Sequence, residues 1–549
     1  MVDKVFFYPI RKFINWAISN RHGGNIYRLC GKIFSGGALV GHGEESILIT
    51  PITGYSQHAF EGFFARKATL HDKKVYGLIC GGYLKQCEGF IDTLNFKSAR
   101  CAYCFAQQED LVRDMGMIPC TYSSELDNLN RVAVQEYCDT YFSQVNAQHF
   151  FMDVDVDELL YTALQRYYLI ADPEIVDTGV VRGFLNSIIS TLIVMDKLCK
   201  RIKPKYVLSS HGTYSTWGAV VEYCKKHGIY VITWGRNYNA NGIEFSYDDS
   251  YLRRDMADTS NLWLTEPWDM TKQERATRFL DQRLGRISTG TVAYDYNKGN
   301  KQRYTKNEIQ ELLGIPEDNK VICMLPNIPW DGQVTGQSGV FPRFRDWLKA
   351  TVDFFASRSG ATLVIRSHPA EVLTGDAAGR ETTATMLSEL YPKGLPKNVM
   401  VLPPKHKINS YTLGENSIFG ITYSSTITLE LTHLGIPVIL CGCPPFKGKD
   451  IGYDITSVER YYSLLEQGLA GNLSVDDARR ERLYRFIHYF FFERTMPETL
   501  LKITDNGPVG LRFTSDMELD GDPVFDYMYQ CIEKKEQMDF SRFYLLEKE

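Results

Sequence analysis

Short, nearly continuous apolar runs alternate along the chain with longer stretches of helical period. Ser46-Ile-Leu-Ile-Thr-Pro51, Lys74-Val-Tyr-Gly-Leu-Ile79, Tyr206-Val-Leu-Ser-Ser210 and Tyr230-Val-Ile-Thr-Trp234 predict strands in the first half. Val321-Ile-Cys-Met-Leu325, Thr362-Leu-Val-Ile-Arg366 and Pro437-Val-Ile-Leu440 predict strands in the second. Runs apolar on consecutive positions suit parallel strands covered on both faces. Helices are expected over Thr216 to Lys226, Asp346 to Ser357 and Ser425 to Leu434, stopped by Gly228, Gly360 and Gly435. Strand, helix and strand at this spacing means βαβ units and doubly wound sheets.

Two such blocks are expected. The first covers 1–300 and holds a helical insertion near 125–200. The second covers 301–485, after a polar linker from Asn297 to Arg303. An aromatic helix, Arg479 to Arg494, leads into a C-terminal segment, 486–549, expected to pack back on the first domain. The expected fold class is α/β and GT-B-like: two Rossmann-type doubly wound domains facing a cleft. Ligands then sit between them, at the carboxyl ends of the strands.

Composition narrows this little. At 549 residues, 44% hydrophobic and 23% charged, the chain is neither disordered nor a coiled-coil rod. A net charge of −5 excludes a chain-wide grip on nucleic acid, which needs clustered positive charge. Thirteen scattered cysteines without a signal peptide suit a reducing, cytoplasmic setting. The best apolar stretch, Phe184 to Met195, is interrupted by Asn186 and supports no spanning helix. The first residues differ from the whole: from Lys4 to Gly43 there is no acidic residue, and Lys4, Arg11, Lys12, Arg21, Arg28 and Lys32 alternate with Phe6, Phe7, Tyr8, Phe13 and Trp16. Such a segment can lie peripherally on the inner face of an anionic membrane, or simply pack its apolar side inward.

The candidate chemistry sits at predicted strand ends. Arg366 leads into Ser367-His368-Pro369, where His368 can donate to a phosphate or a base carbonyl; the plain alternative is a turn histidine. Gly420-Ile-Thr-Tyr-Ser424-Ser425-Thr426 opens a helix that returns at once to a strand through Gly435-Ile-Pro437. Hydroxyls and free N–H groups there suit a phosphate, or serve only as an N-cap. Asp331 follows the kinked Pro326-Asn-Ile-Pro329-Trp330 loop and is a candidate nucleophile, with a turn before Gly332 as the structural alternative. Glu244, after the strand to Trp234, is the candidate acid or base from the first block. His211 closes the strand that ends at Ser210, and Arg236 follows Trp234-Gly235, where a guanidinium can bind an anion through a bidentate pair; a solvated loop polar group is the plain alternative for His211, Arg236 and Glu244 alike.

Over about 205 to 460 the sequence resembles the capsule polysaccharide biosynthesis glycosyltransferases, in particular the retaining β-Kdo transferases of capsule, lipopolysaccharide and O-antigen assembly. The resemblance rests on Ser367-His368-Pro369, on Tyr423-Ser424-Ser425-Thr426 with Gly435-Ile436-Pro437, and on Asn327-Ile-Pro-Trp330-Asp331. It implies a CMP-sugar donor, a glycan or glycolipid acceptor and metal-independent transfer without a cofactor. It places His368 and Pro369 near the cytidine and Ser424, Ser425 and Thr426 near the phosphate. Asp331 would attack the anomeric carbon of Kdo and release CMP, with Trp330 shielding the intermediate. The Asp331-Gly332 pair also resembles the general base of inverting sialyltransferases. Related motifs occur in CDP-polyol phosphotransferases, and a non-catalytic glycan-assembly subunit would keep the same fold.

Two further patterns are weighed as structural. Asp153-Val-Asp-Val-Asp157-Glu158 has the spacing of a manganese motif, but acidic capping of the following helix explains it. Cys80, Cys87, Cys101 and Cys104 have only one tight pair, and zinc is not assigned. Gly36-Gly37 and Gly81-Gly82 complete no dinucleotide fingerprint.

Overall fold

The computed structural model describes residues 29–30, 33–34, 40–52, 59–87, 89, 97–144, 147–173, 177–237, 239, 242–251, 261–286, 302–328, 330, 339–372, 381–504 and 507–548. The strands of its two large sheets are β1 (Ser46–Ile52), β2 (Lys74–Ile79), β3 (Ile118–Thr121), β4 (Tyr206–Ser210), β5 (Val231–Arg236) and β6 (Ile243–Tyr247) in the first half. The second half holds β7 (Lys320–Leu325), β8 (Ala361–Arg366), β9 (Val399–Leu402), β10 (Gly420–Thr422), β11 (Val438–Leu440) and β12 (Tyr453–Asp454), then β13 (Thr495–Met496).

The first sheet has seven strands in the order β13-β6-β5-β4-β1-β2-β3, and the second has six in the order β9-β8-β7-β10-β11-β12. β1 to β5 are parallel, and β6 runs antiparallel to both β5 and β13. Every pair in the second sheet is parallel. Both sheets therefore carry the strand order of nucleotide-binding Rossmann folds, with the order reversing between β1 and β4 and between β7 and β10. The chain has the α/β, GT-B-like architecture of two doubly wound domains.

The helices used below are α1 (Ala59–Leu70), α2 (Lys97–Asp114), α3 (Asn128–Ser143), α4 (Val156–Tyr168), α5 (Thr178–Ile202), α6 (Trp217–Lys226), α7 (Met270–Arg283), α8 (Phe344–Ala356), α9 (Ile427–His433), α10 (Asp477–His488) and α11 (Pro523–Lys534). α3, α4 and α5 form the helical insertion. α5 is long and apolar enough to cross a membrane, but Phe184, Leu185, Ile188, Ile189 and Leu192 bury themselves against α4 and α6 in the core of the first domain. Each such side chain contributes roughly 1.5–3 kcal/mol by leaving water. The helix stops at Gly228, Gly360 and Gly435 are real: all three sit at positive φ, where a side chain is strained.

The first domain is completed by the end of the chain. α11 places Phe525, Met528, Tyr529 and Ile532 in one core with Phe60, Phe64 and Trp234. Two cations of α1 hold this segment: Arg66 pairs bidentately with Asp516 at 2.7 and 2.6 Å, and Lys67 reaches Asp520 and, in α11, Asp526, both at 2.9 Å.

The structure departs from the sequence reading in two places and bears out the expected acidic cap. α7 falls within 1–300, yet its Ala276, Phe279 and Leu280 pack with Leu429, Leu440, Phe446 and α10, so it belongs with the second sheet. An amphipathic pattern reveals a buried face and not the partner it meets. The aromatic helix ends at His488 and continues as a π turn over Tyr489–Glu493. The acidic run caps α4 through Asp155, which accepts the N–H of Glu158 at 3.1 Å, while Asp157 accepts from Tyr141 at 2.9 Å. The residues 1–28 of the basic stretch, and most of the polar linker, lie outside the described residues.

Candidate functional site

The second sheet offers a group of polar residues at its switch point. Register places Gly420 to Thr422 beside Cys323 to Leu325, and Ile365 beside Met324. Ser424, Asn327 and His368 therefore leave three neighbouring strands at the same level. Strands lie about 4.8 Å apart, so the row spans roughly 10 Å. Asn327 ties two of them together: its Oδ1 accepts the backbone N–H of Ser424 at 2.8 Å. The Ser424 hydroxyl in turn accepts the N–H of Cys443 at 3.0 Å. Ser425 Oγ caps the N–H of Ile427 at 3.4 Å, and Thr426 Oγ1 accepts from Arg283 at 3.3 Å. Arg283 is anchored by Glu430 at 2.5 Å.

His368 is held from both sides. Pro369 opens a turn over Pro369–Glu371, and the Ala370 N–H donates to His368 Nδ1 at 3.1 Å. Nδ1 is thus an acceptor, and the proton resides on Nε2. Burial, aided by the Arg366 charge, lowers the imidazole pKa to about 4, so the ring is neutral at physiological pH. Arg366 is itself buried and lies under the site. Its guanidinium donates to the carbonyls of Ile408, Ser367, Pro403 and Pro404 at 3.0, 2.6, 2.9 and 2.9 Å, fixing the loops around His368. Glu371 accepts from the Thr383 hydroxyl at 2.7 Å, and burial raises its pKa.

The first sheet presents a second group at its own switch point. The His211 N–H reaches Trp234 O at 3.1 Å, and Gly235 lies opposite Glu244. His211 and Glu244 thus flank β5 at one level. His211 stacks on Trp217 with centroids 4.8 Å apart, and its Nδ1 lies 2.5 Å from Ser210 Oγ. The turn is strained: His211 has φ +47 and Tyr214 φ +70, both left-handed without being glycine. Each such residue costs on the order of 1–3 kcal/mol and persists only where its surroundings enforce it. Glu244 alternates with Ile243 and Phe245, which enter the core with α1, so its buried side chain points to the other face. On that face Tyr251 covers Gly235, where a Cβ would approach the ring to 2.2 Å.

The two groups are bridged by the end of α4. Arg166 lies with its guanidinium carbon 5.5 Å from the Trp330 ring centroid. The Ala171 N–H donates to Glu381 at 2.5 Å, and Arg345 of α8 pairs with Glu381 and reaches Asp172 at 3.9 Å. Asp172 also accepts from Tyr161 at 3.2 Å, and burial raises its pKa.

The expected site residues therefore divide. His368, Pro369, Ser424, Ser425 and Thr426 gather at the second sheet, and His211 and Glu244 at the first. Trp330 stands between the domains. Asp331 lies outside the described residues. Arg236 is a correction: its guanidinium is paired with Glu498, which also accepts the N–H groups of Leu500 and Leu501 at 2.9 Å. The Glu498 side chain is buried and that of Arg236 half-buried, and the pair holds the returning chain. The aromatic cluster around Trp217 and Trp234 is likewise buried, and Tyr238 is outside the described residues.

Sequence reasoning missed Asn327, Arg166 and Glu61. Glu61 sits in the first turn of α1, fully buried, and accepts from Trp234 Nε1 at 3.2 Å. Burial raises its pKa to about 8 despite that bond. A lone carboxylate within Ala59-Phe-Glu-Gly-Phe-Phe-Ala65 was the available signal. Among the described residues, cysteines 80, 87, 101 and 104 form no disulfide, and no group of three metal-type ligands converges.

No protein-family model matches the sequence, and no curated protein matches it. Solved structures similar to the chain include a β-Kdo 2,4 transferase, KpsC, of Thermosulfurimonas dismutans, at 15% identity over 58% of this chain and 88% of that one, with a TM-score of 0.34. A β-Kdo 2,7 transferase, KpsC, of the same organism gives 14% identity, 60% and 88% coverage and a TM-score of 0.33. The UDP-GlcNAc 2-epimerase of Neisseria meningitidis gives 10% identity, 81% and 99% coverage and a TM-score of 0.22. At this similarity the neighbours say nothing of what this chain acts on.

Proposed function

We propose that the chain is a glycosyltransferase that moves Kdo, or a related acidic 2-ulosonic sugar, from a CMP-activated donor to a surface glycan or glycolipid. One observation carries the reading: Ser424, Asn327 and His368 leave adjacent strands side by side at the switch point of a Rossmann-type sheet. That is where such sheets bind nucleotides. A neutral His368 offers Nε2–H to a cytidine or phosphate oxygen without competing for a proton. The Ser424 to Thr426 turn supplies hydroxyls and backbone N–H groups for the phosphate.

In this reading transfer proceeds in two steps. The Asp331 carboxylate attacks the anomeric carbon, the bond to the CMP phosphate oxygen breaks, and CMP leaves with that electron pair. Glu244 then takes the proton of the acceptor hydroxyl as it attacks the same carbon and frees Asp331, giving net retention. His211, on its strained turn beside Glu244, orients the acceptor. The reading assigns no cofactor, and it places the enzyme in the cytoplasm, with the basic, aromatic stretch from Lys4 to Gly43 resting on an anionic membrane.

The test is an assay with CMP-Kdo and a glycan acceptor, with the product examined by NMR. Release of CMP and a retained anomeric centre are expected, with activity lost in Asp331→Ala. An inverted product would make Asp331 a general base. Release of CMP from a polyol donor instead would point to phosphotransfer. No thermal shift with CMP, CDP or UDP would favour a non-catalytic subunit.

A further inference from the structure

Arg166 and Trp330 meet across the two domains, and each is chemically incomplete. Arg166 projects from α4 of the insertion, and its guanidinium lies over the Trp330 ring at 5.5 Å. Among the described residues it makes no hydrogen bond or ion pair, although it is half-buried. The Trp330 indole Nε1 is a buried donor without a hydrogen-bond partner. A buried N–H left unmade costs roughly 1–3 kcal/mol, and a shielded cation without a counter-charge costs more. The acids beside the end of α4 have other partners. Glu381 and Asp172 are directed to Arg345, Ala171 and Tyr161 instead.

Two unmatched donors in one place ask for an acceptor. A guanidinium resting on an aromatic face is oriented by it and keeps its N–H edge for a planar oxyanion. We infer that Arg166 and the Trp330 indole N–H form an anion subsite, with one donor from each domain, that takes a carboxylate or phosphate group of the ligand in the cleft. This deepens the donor reading above and rests on it for the ligand's identity: the anion is the carboxylate of the acidic sugar or the phosphate of its nucleotide. Because the donors come from different domains, the subsite exists only while α4 rests against the β7 exit loop.

Calorimetry on the full chain separates the possibilities, with CMP, free Kdo, the methyl ester of Kdo and inorganic phosphate as probes. Wild type is compared with Arg166→Gln and Trp330→Phe, both checked by thermal melting. At least a tenfold loss of Kdo affinity in Arg166→Gln, with the weaker ester binding unchanged, identifies the carboxylate. The same loss for CMP and phosphate identifies the phosphate. Trp330→Phe keeps the ring and loses the donor, and is expected to weaken the same probe about threefold. Arg166→Lys, which keeps charge but not the fork, should recover only part of the loss. Equal binding of every probe by wild type and both variants overturns the subsite and leaves the donor reading standing. Arg166-dependent binding of Kdo or phosphate by a chain indifferent to CMP supports the subsite and rejects the CMP donor. Failure of wild type to bind any of the four probes overturns both.

Discussion

Asn327 Oδ1 accepts the backbone N–H of Ser424 at 2.8 Å, joining the exits of β7 and β10 where the strand order of the second sheet reverses. Both residues are buried. The bond sets the conformation of the Ser424 to Thr426 turn before any ligand arrives. Replacing Asn327 by Ala removes the acceptor and leaves a buried N–H unpaired. The expected loss is about 1–3 kcal/mol of stability, read from the urea midpoint, together with a smaller thermal shift on adding CMP. An unchanged midpoint and an unchanged CMP shift would refute this role.

His368 predicts a flat ligand response and a sloping stability. Its folded pKa of about 4 lies below its ordinary 6.5. The folded state therefore binds fewer protons than the unfolded state between those values. Its contribution to stability is complete above pH 6.5 and is lost as pH falls from 6.5 towards 4. His368→Asn should show a shallower acid decline in melting temperature than wild type. CMP affinity of wild type should not change between pH 6 and 8 on account of this residue.

Glu61 gives the opposite slope. Its folded pKa of about 8 lies above its ordinary 4.5, so the folded state retains a proton that the unfolded state releases. The stability it supports is present below pH 4.5 and is lost as pH rises from 4.5 to 8. Glu61→Gln keeps an acceptor for the Trp234 indole N–H without a titrating group. Melting temperatures of the variant should stay level between pH 6 and 9, while those of wild type fall.

Arg236 separates structure from substrate. Its partner Glu498 is buried and also binds two backbone N–H groups. Arg236→Met strands that carboxylate, at a cost of about 3–5 kcal/mol. Urea unfolding should show this loss, and Glu498→Leu on the same chain should recover much of it. A variant of wild-type stability with a raised acceptor KM would instead restore the sugar-binding role.

How far the sequence carries depends on the range of each interaction. Thr362 to Arg366 and Tyr206 to Ser210 were legible because buried parallel strands are continuously apolar. β3, with Pro119 and four residues, and β10, with three, carry too little pattern to be seen. His368 was legible because its motif stands at a predicted strand exit, and Ser424 because its run of hydroxyls opens a predicted helix. Asn327 was quoted within a motif, but its bond to Ser424 spans 97 positions and has no local mark. Arg166 lies on an ordinary amphipathic helix, and only the docking of α4 on the second domain gives it meaning. Arg236 misled for the same reason: an arginine after a strand looks ready for a ligand until its distant carboxylate is located.

The return of the chain through β13 and α11 bears on how the protein is made. β13 borders the first sheet beside β6, and α11 supplies part of that domain's core, yet both follow the entire second domain. On the ribosome, the second domain has its sheet complete before the first has its floor. Until α11 emerges, Phe60, Phe64 and the edge of β6 are left uncovered, which is the kind of surface that invites premature association. No single cut yields two self-sufficient halves, so separate expression of the first domain requires 495–540 to be supplied, in cis or as a second fragment.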